Sequence, residues 1–140
     1  AFWMTGVVGI FTGQVEQVQI VAAIPVAEED TLTFDDNQFD YVHKVEVTIK
    51  NSGTTTVTID GIFISPTSIN GYWEFEVSNQ TTKVNPINSL VPDASSQLKI
   101  DPGSSVTITV YLSGTMAGQS IEIKLHSASG KEYPKLVTLP

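Results

Sequence analysis

YVHKVEVTIK, residues 41–50, decides the fold. Tyr41, His43, Val45, Val47 and Ile49 fall on one side of an extended chain, and Lys44, Glu46, Thr48 and Lys50 on the other. Such period-two alternation marks a strand with one face in a core and one in water. Downstream, Asn51-Ser52-Gly53 has turn chemistry. TTTVTIDGIFI then resumes the strand pattern, broken at Gly61 in the manner of a β-bulge. Trp73, Phe75 and Val77 share one face of the next strand, with Trp73 expected to fill the space between two sheets. A polar, irregular stretch runs from Ser78 to Ser96. Leu98 and Ile100 lead into Asp101-Pro102-Gly103, another turn, after which Val106, Ile108, Val110 and Leu112 alternate with polar residues. Gly114 to Gly118 forms a loop, Ile121, Ile123 and Leu125 alternate again, and Ser129-Gly130 turns into a last strand, EYPKLVTLP.

Upstream, residues 14–27 read as strand-like, with Pro25 placing that strand at an edge or bend. Glu28, Glu29, Asp30, Asp35, Asp36 and Asp40 then read as an acidic loop. The pattern predicts a mostly β chain, an immunoglobulin-like sandwich of seven or eight antiparallel strands over residues 14–140. Its expected core is Val45, Val47, Ile49, Ile59, Val106, Ile108, Val110, Ile121, Ile123 and Leu125.

Residues 1–13, AFWMTGVVGIFTG, break this pattern: they carry no charge and no proline. At helical spacing Gly6, Gly9 and Gly13 form one stripe, Trp3, Val7 and Ile10 a second, and Met4, Val8 and Phe11 a third. The spacing predicts a short apolar α-helix, which must be buried all round in a core, a bilayer or a partner. Gly9 and Gly13 stand at the small-xxx-small separation that lets helices approach closely. The alternative is a buried first strand, favoured by Val7, Val8, Ile10 and Phe11 and opposed by the glycines. A helix of this length rises only about 18–20 Å, short of a hydrocarbon core of roughly 30 Å. The segment lacks a basic start and a small-residue cleavage pattern. It is expected to be the second half of a longer helix.

Composition narrows the function. The chain has 140 residues and a formal charge of −8; its seven positive charges are all lysine, without arginine. Nucleic acid is therefore excluded as an expected partner. The absence of cysteine removes thiol catalysis, Cys-ligated zinc and disulfides. His43 and His126, on the apolar face of one strand and the polar face of another, read as a core-edge and a surface imidazole rather than a metal pair. Asp35, Asp36, Asn37 and Asp40 are oxygen donors, but without the glycine and terminal glutamate of a helix-loop-helix calcium site. No nucleophile elbow or phosphate cradle is present, so neither an enzyme nor a cofactor is expected. Asn79-Gln80-Thr81 fits the N-glycosylation pattern, making Asn79 the candidate modified residue.

AFWMTGVVGIFTG resembles the C-terminal part of the long N-terminal helix of archaeal type IV pilins. HSASGKEYPKLVTLP (126–140) resembles the closing strand of their globular domain, and KNSGTTTVTIDGIFI and IDPGSSVTITV resemble its strand-turn units. The resemblance covers nearly the whole chain, and its end motifs are more specific than the middle ones. It implies an extracellular filament subunit for adhesion or attachment, inserted in the membrane before assembly. Identical subunits would bundle their helices in the filament core, here through Phe2, Trp3, Met4, Gly6, Val7, Val8, Gly9, Ile10, Phe11 and Gly13. The departure is at the start, where such pilins carry a longer hydrophobic segment and, in the precursor, a basic leader. Two alternatives remain from the residues themselves. The leading segment could be a strand donated to a neighbour's open sheet. The domain could instead be a secreted carbohydrate-binding module, with Tyr72, Trp73 and Tyr111 as the candidate aromatic platform.

Overall fold

The computed structural model describes residues 16–76 and 83–140. Among the described residues nine strands form two antiparallel sheets: β1 Val18–Phe34, β2 Asn37–Asn51, β3 Val57–Ser65, β4 Asn70–Phe75, β5 Lys83–Pro86, β6 Leu98–Ile100, β7 Ser105–Ser113, β8 Ser120–Ser127 and β9 Glu132–Thr138. The first sheet has the order β1-β2-β7-β4-β5 and the second β6-β3-β8-β9. With β1 to β4 and β7 to β9 lettered A to G, this is the ABED and CFG order of immunoglobulin constant domains. The short β5 and β6 are additions between the fourth and fifth of those strands. The expected count of seven or eight is thereby corrected to nine. β5 lies in the stretch to Ser96 that reads as irregular, and β6 is the Leu98–Ile100 lead into the turn; strands of three or four residues carry no measurable period. Among the described residues the helical content is one 3-10 turn, Ala94–Ser96, capped by the Asp93 carboxylate accepting from Ser95 N at 3.0 Å.

Alternation explains the core. Val45 pairs with Val110, and Val47 with Ile108, so both strands present the same apolar face inward. Ile59, Ile62 and Ile64 of β3 and Ile121, Ile123 and Leu125 of β8 meet them from the second sheet, all essentially fully buried. Trp73 lies between the sheets at 0% exposure, stacked on Phe75 at 5.7 Å. Of the expected core only Val106 is partly buried, packed against the cluster rather than within it. The bulge at Gly61 is real: Ile59 pairs with Ser127 and Gly61 with His126. One extra residue resets the alternation, so that Val57 and Ile59 point inward before it and Ile62 and Ile64 after it.

Polar residues close the strand ends. Asn51 is fully buried; its amide donates to the Thr55 and Ile100 carbonyls at 2.8 Å each and accepts from Gly53 N at 3.0 Å. A buried amide satisfied this way costs little and fixes the turn. Gly71 is required for another reason: a Cβ there would lie 2.3 Å from the Tyr111 carbonyl oxygen, closer than β4 and β7 can accommodate.

Residues 28–40 do not form a loop. β1 continues through the acidic residues to Phe34, turns at Asp35 and Asp36, and returns as β2. Both aspartates have positive φ, 46° and 62°, as a two-residue hairpin turn matched to strand twist requires. The predicted helix over residues 1–13, and Val77 and Asn79, lie outside the described residues.

Candidate functional site

Three features of the domain surface bear on function: the point where the leading segment enters, the sheet edges, and the outer face under the long hairpin.

The entry point is anchored by Glu16, two residues before β1. Its carboxylate accepts hydrogen bonds from the Ser129 hydroxyl and, at 3.1 Å, from Tyr133 OH. Lys131 Nζ donates to the Glu16 carbonyl at 3.1 Å, and Ser52 N to the Gln17 carbonyl at 2.9 Å. Burial raises the Glu16 carboxyl pKa, but hydrogen bonds from Ser129, Ser127 and Tyr133 and the charge of Lys131 outweigh it, holding the group below its ordinary value. The same contact, with burial, pushes Tyr133 up to about 12. Residues 129–133 thus grip the chain where residues 1–15 join the domain. No sequence signal announces this, because the partners are 113 and 117 positions apart.

Every sheet edge is blunted against strand addition. β1 contains Pro25 and has register shifts at Ile20/Ala22 and Ala27/Asp30. β5 is four residues ending in Pro86, β6 is three residues carrying Lys99, and β9 contains Pro134. Prolines, bulges, short strands and lysines are the recognised means of keeping an edge from templating another chain.

The third feature is aromatic and acidic. Tyr72 and Tyr111 alternate with the buried Trp73 and Val110, so they lie on the outer face of the first sheet. Phe34 and Phe39 reach Tyr72 with ring centroids at 4.7 and 5.0 Å, and Tyr41 reaches Tyr111 at 4.7 Å. These contacts carry the far end of the β1–β2 ribbon over that face. Tyr41 OH donates to Glu28 at 3.1 Å, Tyr111 OH donates to Glu74, and Lys44 Nζ sits 3.2 Å from Glu28. Burial, then the Glu28 contact, pushes Tyr41 up to about 12; burial and Glu74 push Tyr111 up further. Next to this face Val21, Ile24, Val26 and Val42 are exposed apolar residues of the same two strands.

The remaining candidates separate. Trp73 is in the core and Tyr111 is committed to Glu74, which leaves Tyr72 alone of the three proposed platform residues in a cleft. His43 is buried, with Nδ1 2.6 Å from Thr115 Oγ1 and Nε2 3.1 Å from Pro140 O. His126 Nδ1 lies 2.6 Å from Asp60 Oδ1, on the other sheet. Among the described residues no group of three or more His, Cys, Asp or Glu is placed to hold a metal ion, and no helix is long and apolar enough to cross a membrane.

Neither a family model nor a curated protein matches the chain. Among solved structures it is similar to the complex of the archaellum periplasmic stator proteins FlaF and FlaG from Sulfolobus acidocaldarius: 19% identity, covering 89% of this chain and 90% of that one, TM-score 0.48. It is similar to FlaG from the same organism at 19% identity, with 88% and 100% covered and a TM-score of 0.49. It is also similar to the Iho670 flagellar-like filament at 13% identity, with 98% and 90% covered and a TM-score of 0.45. All three scores lie below 0.5; the class is defined by the strand order and the shared core, a two-sheet antiparallel sandwich.

Proposed function

We propose that this chain is a structural subunit of an archaeal type IV pilus-like surface filament, acting outside the cell in adhesion or attachment and not as an enzyme. Residues 1–13 are its assembly element, held in the membrane before assembly and against identical subunits afterwards, and the sandwich is the outer shell.

The observation that carries it is the completeness of the domain beside an anchored apolar leader. Among the described residues, the strands of both sheets run from 18 to 138 and enclose one core. The described strands already give the seven-strand immunoglobulin order without the uncharged leader, and the chain that follows the leader is fixed by Glu16 to residues 129–133. Such an apolar segment on a finished domain needs a partner to cover it. Copies joined head to tail without closure make a filament. Donor-strand exchange has less support, because it requires an open groove where a strand is missing; here the order from β1 to β9 has no gap and each edge is blunted. Electron microscopy of material purified from the native cell surface tests the reading: filaments support it, and discrete particles refute it.

A further inference from the structure

A cleft of about 420 Å³ opens at one end of the first sheet, between the hairpin residue Phe39, the start of β4 and the end of β5. This is within the roughly 300–1,000 Å³ typical of small-molecule sites. The half-buried Tyr72 and Phe39 supply its aromatic wall, and Pro86 and Ile87 its other apolar side. The Tyr72 ring is fixed by Phe34 at 56° and Phe39 at 73°, so its orientation is set before any ligand arrives.

The polar lining is Thr67, Asn70 and Asn88. Among the described residues Thr67 Oγ1, the Asn70 amide and Tyr72 OH make no hydrogen bond within the protein. Asn88 is used on one side only: its Oδ1 accepts from Ile64 N at 2.7 Å, which orients the amide and leaves its NH2 as a donor. The lining therefore offers hydroxyls and amides that both donate and accept, beside flat aromatic carbon. It contains no lysine, aspartate or glutamate, although the chain carries −8 overall.

We propose that this cleft binds a neutral saccharide. A sugar ring presents an apolar C–H face suited to Tyr72 and Phe39, and hydroxyls on its rim suited to Thr67, Asn70 and Asn88. An anionic ligand finds no cation in the lining to neutralise it. A purely apolar ligand leaves the hydroxyl and amide groups desolvated and unpaired. The site belongs to the sandwich alone and stands whether or not the chain polymerises.

The test uses the full chain in a detergent without a sugar headgroup. Saturation-transfer NMR and calorimetry are run with neutral manno-, gluco- and N-acetylglucosamine oligosaccharides, with sialyllactose and choline as charged controls. At least one neutral series should bind, with a dissociation constant on the order of 1 mM or tighter, and both controls should not. Tyr72→Ala risks loosening the aromatic cluster, so the deciding variants are at exposed positions. Thr67→Trp, which fills the cleft, should abolish binding, and Asn70→Ala should weaken it about tenfold, or about 1.4 kcal/mol, with thermal unfolding unchanged in both. Absence of binding by every neutral series, binding that persists in Thr67→Trp, or binding of only a charged control would overturn the proposal.

Discussion

Replacing Glu16 by alanine removes the acceptor that ties the entry of the chain to residues 129–133. Two hydroxyl donors lose their partner, Ser129 and Tyr133, while the Lys131 contact to the Glu16 carbonyl and the Ser52 contact to Gln17 survive. A hydrogen bond to a charged group contributes about 1.5–3 kcal/mol when protected. Glu16 is half-exposed, so solvent screening reduces the pair to roughly 1–3 kcal/mol in total. In a domain of this size that lowers the melting temperature by about 3–10 °C. The effect has a defined pH dependence. The folded-state pKa of Glu16 lies below its ordinary value of 4.5, so its stabilisation is fully present above that value and disappears as pH falls through the lower folded one. Calorimetry of wild type and Glu16→Ala should show the largest gap in melting temperature at neutral pH and a closing gap in acid. Equal melting temperatures at pH 7, or a gap that does not close in acid, would refute the clamp.

Other expectations follow from the same geometry. Ile108→Ala, at 0% exposure, should cost about 2–5 kcal/mol in urea unfolding through the cavity it leaves, and Val47→Ala about 1–3. Tyr41 and Tyr133 should keep their protons above the ordinary value of 10, titrating near 12 by tyrosinate absorbance. Because those folded-state values are raised, the stabilisation from the neutral phenols is complete below pH 10 and lost as pH climbs toward 12, so alkaline unfolding should track the tyrosinate signal. Asn79 in native material should carry an N-linked glycan, read by intact mass spectrometry; an unmodified native mass removes that expectation.

The long alternating strands were legible because each buries one face: residues 41–50, 57–64, 105–113 and 120–127 read directly as sheet, and even the bulge at Gly61 showed as a slipped alternation. The acidic hairpin was not legible. Its turn uses Asp35 and Asp36 at positive φ instead of the Asn-Gly or Asp-Gly pair that announces such turns, and carboxylates on exposed strands look like loop. β5 was lost in the stretch read as irregular, and β6 showed only as Leu98 and Ile100 leading into a turn, since three or four residues cannot display a period. The Glu16 clamp and the cleft beside Tyr72 share another cause: both join groups far apart in the chain, and nothing local marks Ser129, Asn70 or Asn88 as partners. The aromatic count did limit the choice, since Tyr72 was among three candidates; burial eliminated Trp73 and a carboxylate claimed Tyr111.

The proposed function rests on residues 1–13 joining the subunits. In the proposed bundle, burying Phe2, Trp3, Met4, Val7, Val8, Ile10 and Phe11 would contribute roughly 10–20 kcal/mol gross, of which ordering and association would remove a large part. Against that, one unpaired carboxylate in the apolar bundle is prohibitive. The decisive measurement is electron microscopy of wild type and Val8→Asp under the same assembly conditions, beside thermal unfolding of the domain. Filaments are expected from wild type and none from Val8→Asp, with the same unfolding transition in both. Normal filaments from Val8→Asp would contradict the proposed function.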